Sequence, residues 1–520
     1  MATASLLIYL APLALLAAGV VSLRDRRATP ERALRLTRLA SLGALGAAAL
    51  VVLTVVLAGP LTSPLIGVAG LGLQIQLDAL SAMMFALVSF VGAVVIQFSR
   101  NYMDGDPRHG AFMGGLALVL GAVMLLVLSG NIVQLLLAWT ATSLALHRML
   151  LFYRERPGAR LAARKKFLVA RVGDSALITS ATLVYFAFGT GEIAAITAAA
   201  GAGDIPTGAA WAAGLIAVAA LLKSAVFPTH GWLTEVMETP TPVSALLHAG
   251  IINAGGFLVI RFADLMLASA GALHLLAIAG GLTAAIASLV MITQTSVKVS
   301  LAWSTVAQMG FMLLQCGFGA FTAAALHIVA HALYKAHAFL NAGNVVDKSR
   351  AGLALPATAP SLAKATLALT AAAGIAVAAG LAFGVTLETK PALVVLGAIL
   401  VMGLTHLLLR LETADGGLLG MTRAVAIAGG VAVLYFALQM GTELLLQPTV
   451  PLATPTDPMT VALMISFLMI FAGVALAQIL APAWANTPGL KGFQRSLRHG
   501  LYANDLFNRL VGGTPGAARV

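Results

Sequence analysis

The sequence predicts an all-α polytopic membrane protein of about 14–15 transmembrane helices, and three observations carry that expectation. Hydrophobic residues fill 60% of the 520 positions and charged residues 10%, with a mean hydropathy of +0.96, far from the composition of a water-soluble domain. Apolar stretches of the roughly 20 residues needed to cross about 30 Å of hydrocarbon recur along the chain. No long soluble insertion separates them, so no catalytic domain is expected and the chain reads as a transporter or ion-coupling subunit rather than an enzyme.

The segments fall near 3–23, 34–58, 76–98, 111–129, 131–153, 167–189, 209–227, 242–261, 272–293, 298–317, 320–346, 363–385, 391–411, 421–446 and 458–482. No small-residue cleavage site follows the first, which is expected to stay as a signal anchor. Cys316 is the sole cysteine and lies in an apolar segment, which excludes intramolecular disulfides and cysteine-rich metal or iron–sulfur sites.

Lys and Arg number 31 against 19 Asp and Glu, a net charge of +12. Much of the excess sits in three connections, Arg24 to Arg38, Arg154 to Lys166 and Lys491 to Arg498, which follow segments one, five and fifteen and so share one side. Basic loops favour the cytoplasm, which places the N-terminus outside and the C-terminus inside a bacterial inner membrane. A nucleic-acid partner is not indicated, because aromatic platforms and a soluble basic domain are missing.

Segments within 1–75 and 351–484 are aliphatic and read as lipid-facing or packing helices. Residues 76–350 differ: charges and histidines recur inside apolar segments, where each costs roughly 2.5–3.5 kcal/mol on insertion scales. Lys223 stands late in an Ala/Leu run, and Phe227-Pro228 interrupts the helix just after it, freeing carbonyls that protein or water must satisfy. A lysine beside a broken helix suits a hydrated pocket in which it could gain and lose a proton, while snorkelling to an interface is the structural alternative. His248 lies six residues into the helix that restarts after Pro242, and Glu235 and Glu238 flank the break as capping or solvated carboxylates.

His327, His331 and Lys335 recur at i, i+4 and i+8, one helix face with about 6 Å between neighbours, close enough for water to bridge. No carboxylate or third ligand accompanies the two histidines, so the row reads as a proton relay rather than a metal site. His337 lies on another face. Lys298 starts a segment, and Arg171 with Asp174 form an i, i+3 pair that could be structural or mechanistic. Thr140 and His147 share a face of segment five. Residues 485–520 form an amphipathic tail suited to the cytoplasmic interface or to docking on a partner.

These residues resemble the antiporter-like subunits of respiratory complex I, multisubunit (Mrp-type) cation/proton antiporters and membrane-bound hydrogenases. The resemblance rests on Lys223-Ser-Ala-Val-Phe-Pro-Thr-His-Gly-Trp-Leu, on Met237-Glu-Thr-Pro-Thr-Pro-Val-Ser-Ala-Leu-Leu-His248-Ala, on Asp78-Ala-Leu-Ser81, on Arg171-Val-Gly-Asp174 and on the Lys298 to Gly310 run, in family order over about residues 75–350. It implies two inverted five-helix repeats with broken helices and a hydrophilic axis along the membrane midplane. Lys223 would be the switching lysine, with Lys298 and Lys335 continuing the axis, His248, His327 and His331 connecting them, and Arg171 with Asp174 tuning its mouth. Glu238, His147 and His337 are further candidates.

Departures narrow the resemblance. The family's Trp-Glu on segment five reads Trp139-Thr140 here, so the lysine's usual carboxylate is gone, and no lysine or glutamate lies deep in 363–385. The runs Ser143 to Pro157, Asn253-Ala-Gly-Gly and Gly500 to Arg509 are similar to the membrane subunit of the Dab-type inorganic carbon pump, DabB. That likeness implies cation flow (proton or sodium) coupled to a DabA-like peripheral zinc protein resembling a carbonic anhydrase, with zinc in the partner and no cofactor in this chain. A complex I or antiporter subunit is the second reading, and a non-conducting scaffold the third.

Overall fold

A computed structural model describes residues 3–25, 30–236, 239–344, 361–415, 417–484 and 487–511. Among these, twelve helices are long and apolar enough to cross a membrane. In chain order they begin with α1 (Leu10–Leu23, entered by a 3-10 turn), α2 (Glu31–Ala58), α3 (Ala79–Tyr102) and α4 (His109–Val127). Then come α5 (Ile132–Leu150), α6 (Pro157–Phe188), α7 (Ile193–Gly201), α8 (Ala209–Lys223) and the single turn α9 (Gly231–Thr234). The next elements are α10 (Thr241–Ala249), α11 (Ala254–Arg261), α12 (Ala263–Leu267), α13 (Ala270–Met291), α14 (Val297–Gly317) and α15 (Phe321–Leu340). The rest are α16 (Leu362–Ala382), α17 (Pro391–Asp415), α18 (Gly417–Leu446), α19 (Pro458–Trp484), α20 (Lys491–Arg498) and α21 (Ala503–Leu510). Helices α5, α8 and α15, which carry the polar residues of interest, stand at the remaining expected segments, and the protein is an all-helical multi-pass membrane protein.

Local chemistry sets the boundaries that position the polar interior. Asp78 caps α3 in a reciprocal box with Ser81 and is ion-paired to Arg261 at the end of α11, both side chains buried. Asn131 caps α5 through its side-chain oxygen. Pro157 opens α6 thirteen residues after Leu144, so Arg160, Arg164, Lys165 and Lys166 are helical rather than part of a basic loop. The proline has no N–H to lose at that position, and the Ala, Arg and Lys that follow are good helix formers.

Two short antiparallel ladders, Leu61–Thr62 with Gln76–Leu77 and Ile66–Val68 with Leu71–Leu73, precede α3 where no strand was expected. Ala69 and Gly70 both have positive φ, the backbone of a tight hairpin turn, and Gly67 faces Gly72 too closely for a side chain at either.

The expected break after Lys223 is present: α8 stops there, and α9 is the one α-helical turn among the described residues before α10. The following span is also interrupted, by a 3-10 turn at Ile251–Asn253 between α10 and α11. Helices α13 and α14 pack on glycines, a Cβ on Gly280 falling 2.6 Å from the Gly310 carbonyl and one on Gly317 falling 2.4 Å from the Ala277 amide.

Candidate functional site

The first polar cluster lies where α5, α6 and α8 meet. The Lys223 ammonium sits 4.2 Å from the centre of the Trp139 ring, and the Trp139 indole N–H donates to Asp174 Oδ1 at 3.0 Å. Asp174 pairs with Arg171 at 2.5 Å. Among the described residues no carboxylate pairs with Lys223; the Trp139 indole contacts both it and Asp174. Next to it, buried Lys166 donates to the Ser143 carbonyl (2.5 Å) and hydroxyl (2.8 Å). A cavity of about 20 Å³, the space of about one water, is lined by Lys166, Lys223, Ser143 and Trp232 among mostly apolar neighbours.

The second cluster forms between α10, α14 and α15. Lys335, fully buried, donates to the Leu301 carbonyl (3.1 Å) and the Ser304 hydroxyl (2.8 Å). His248 bonds Thr305 Oγ1 through Nδ1 at 2.9 Å and stacks on Phe339. His331, also buried, lies within electrostatic reach of His327, Lys335 and His248, and its ring centre is 6.0 Å from that of His327. His327 in turn bonds Gln315 at 2.8 Å. The face predicted from i, i+4 spacing therefore turns inward against α10 and α14.

Lys223, Asp174 and Arg171 thus share one cluster, and His248, His327, His331 and Lys335 the other. Lys298 joins neither, donating to Thr241 Oγ1 (3.0 Å) on α10 beside the Tyr102 hydroxyl (3.2 Å). His147 lines a separate cavity at the α5–α6 surface, and His337 is exposed. Glu238 lies outside the described residues. Glu235, read above as capping or solvated, instead pairs with buried Lys165, and Asn504 and Asn508 of α21 donate to it at 2.5 and 3.3 Å.

The structure also places polar groups that the sequence reading passed over. His230 is fully buried between Phe227 and Trp303, with neither ring nitrogen hydrogen-bonded among the described residues. It sits on the interrupted stretch, near Lys165 on one side and α14 on the other. In the aliphatic C-terminal part, Lys390 pairs with Glu443 at 2.5 Å, and Gln439 links that glutamate (3.1 Å) to Thr322 on α15 (3.2 Å). Among the described residues no group of three or more His, Cys, Asp or Glu side chains could hold a metal.

Buried lysines and histidines on broken or abutting helices, several of them bonded through neutral side chains and backbone, define a multi-pass membrane subunit with an ionisable interior. Residues 129–413 match the family described as NADH:quinone oxidoreductase/Mrp antiporter, TM, and residues 66–113 match the N-terminus of complex I chain 5. The chain belongs to this NADH:quinone oxidoreductase/Mrp antiporter family of membrane subunits. It is 41% identical over 369 residues, 70% of its own length and 66% of the relative's, to a "Probable inorganic carbon transporter subunit DabB2" of Halothiobacillus neapolitanus. It is 45% identical over 293 residues, 56% of this chain and 57% of the relative, to a "Probable inorganic carbon transporter subunit DabB" of Hydrogenovibrio crunogenus. The chain spans between half and two thirds of the length of these relatives. Its fold resembles a chain of an Mrp complex from Dietzia sp., with a TM-score of 0.62 at 24% identity, covering 98% of this chain and 61% of that one.

Proposed function

We propose that this chain is the ion-translocating membrane subunit of an inorganic carbon uptake complex, passing protons or sodium ions and coupling that flow to a peripheral DabA-like zinc protein. The N-terminus faces outward and the C-terminus the cytoplasm, the side on which the partner docks. The observation that carries the reading is the Lys223–Trp139–Asp174 arrangement. A switching lysine is kept at the break, but an indole and a carboxylate one helix away replace its direct carboxylate partner; separately, two of the chain's similar relatives are named inorganic carbon transporter subunits.

Each residue has a task in this scheme. Lys223 exchanges a proton with the water that fits beside Lys166. His230 carries charge across the interruption, and His248, His331 and Lys335 receive it against α14. Glu443 and Lys390 provide the polar continuation expected, but not found, in 363–385. Carbon dioxide hydration belongs to the partner's zinc.

The test is growth in ambient air of a bacterial host lacking carbonic anhydrase, expressing this chain with its zinc partner. The pair is expected to restore growth, and Lys223→Ala to abolish it while both subunits remain in the membrane. Failure of the wild-type pair to rescue, or co-purification of the chain with redox or antiporter subunits, would favour the complex I or antiporter reading.

A further inference from the structure

The surface groove between α5 and α6 has a composition that the ion path does not use. At the loop end of these helices a cavity of about 700 Å³ is lined by Arg154, Arg160, Arg164, His147, Leu151 and Phe167, among others. That volume falls within the range of small-ligand sites. Among the described residues the three guanidinium groups make no ion pair or hydrogen bond, while the cavity's one carboxylate, Glu155, is engaged by Arg108 at 3.3 Å. Three positive charges therefore face the cavity without local neutralisation.

The loop that presents Arg154 is fixed. Tyr153 donates to Asp106 at 3.0 Å, and Arg108 and Arg156 lie over its ring.

Beyond the cavity the surface of α5 and α6 turns apolar, apart from Arg171, which lies over Phe167 and is paired with Asp174. Residues 160, 164, 168 and 172 recur every four positions on one face of α6. The first two are arginines; the next two, Leu168 and Val172, are 43% and 59% exposed, and Leu144 on α5 is 47% exposed. A cationic end leading into an exposed apolar track matches a molecule with a phosphate at one end and hydrocarbon at the other. Arginine forks bind phosphate oxygens in pairs, and basic pockets between transmembrane helices hold anionic lipid headgroups.

We propose that the α5–α6 groove binds an anionic phospholipid, its phosphate held by Arg154, Arg160 and Arg164 and its acyl chains lying on Leu144, Leu168 and Val172. The proposal is independent of what the subunit transports.

The test uses the full chain purified in detergent, stripped of lipid, and titrated separately with phosphatidylglycerol, cardiolipin, phosphatidylcholine, inorganic phosphate and bicarbonate, with bound lipid counted by native mass spectrometry. Phosphatidylglycerol and cardiolipin are expected to bind and raise the Tm, and the zwitterionic lipid and free anions to do neither. The double variant Arg160→Gln/Arg164→Gln should weaken anionic lipid binding about tenfold or more. A photoactivatable phosphatidylglycerol on the unaltered chain should label the stretch between residues 144 and 172. Equal retention of phosphatidylcholine, an equal response to inorganic phosphate or bicarbonate, unchanged binding in the double variant, or labelling elsewhere would overturn the assignment.

Discussion

Trp139 shows how a single side chain can stand between two charges that do not touch. Its face holds the Lys223 ammonium at 4.2 Å, a contact worth about 0.5–2 kcal/mol depending on desolvation, while its edge N–H satisfies Asp174. A direct buried ion pair would bind the lysine more tightly, so in the proposed pathway the indole would leave Lys223 freer to exchange a proton. Replacing Trp139 with Phe keeps a ring over the lysine but removes the N–H, leaving Asp174 to Arg171 alone. A hydrogen bond to a charged group contributes about 1.5–3 kcal/mol, so proton flux into proteoliposomes, followed with a pH-sensitive dye, should fall at least about tenfold. Flux equal to wild type would remove the indole from the pathway. The residues legible in the sequence at this scale, Lys223 and the His327/His331/Lys335 row, announce themselves through spacing on one helix or a neighbouring proline. Those that stayed hidden have partners far along the chain: Lys165 and Asn504 meet at 2.8 Å across 339 positions, and Glu443 reaches Lys390 from another helix. No local period encodes such meetings.

At the scale of elements, apolar runs gave the helices and their order, while polar and glycine residues decided how far each runs and how closely it packs. Charge alone reads the basic stretch before residue 167 as a loop, but its proline start and helix-forming composition carry α6 back to Pro157, so Lys165 and Lys166 face the interior instead of water. The helix pair α13–α14 depends on small residues at the crossing. Gly280→Val would press its side chain against the Gly310 carbonyl, already 2.6 Å from a single Cβ, and push apart the helix that holds Ser304 and Thr305 against Lys335 and His248. Overpacking of this kind costs about 1–3 kcal/mol. The variant should show a lower Tm in detergent together with reduced flux, whereas Gly271→Ala, a site with open space around it, should change neither. A normal Tm for Gly280→Val would mean that the two helices can separate without loss.

Across the whole molecule, the polar groups follow the interruptions. The Lys223 cluster lies beside the gap after α8, His230 lies within it, and the His248 and Lys335 cluster lies beside the turn that divides α10 from α11. One buried pair ties this arrangement to the C-terminal part of the chain. Lys165 on α6 meets Glu235 just after α9; Asn504 of α21 bonds both, and Asn508 donates to the glutamate. Removing one member of a buried pair leaves the other charge stranded and costs about 3–5 kcal/mol. Glu235→Ala should therefore lower the Tm markedly, and Asn504→Ala should loosen the segment around residues 224–236, read as faster hydrogen exchange there and not in α13. Slow exchange in the Asn504 variant would separate the tail from the break.

That contact also orders events in time. During synthesis, the stretch around Glu235 leaves the ribosome some 270 residues before Asn504 does, the two being 269 positions apart. Until then Glu235 lacks its amide donors and the interruption is held from one side only. A chain that has not yet reached α21 thus leaves this clasp open, and the contact closes only when that helix arrives.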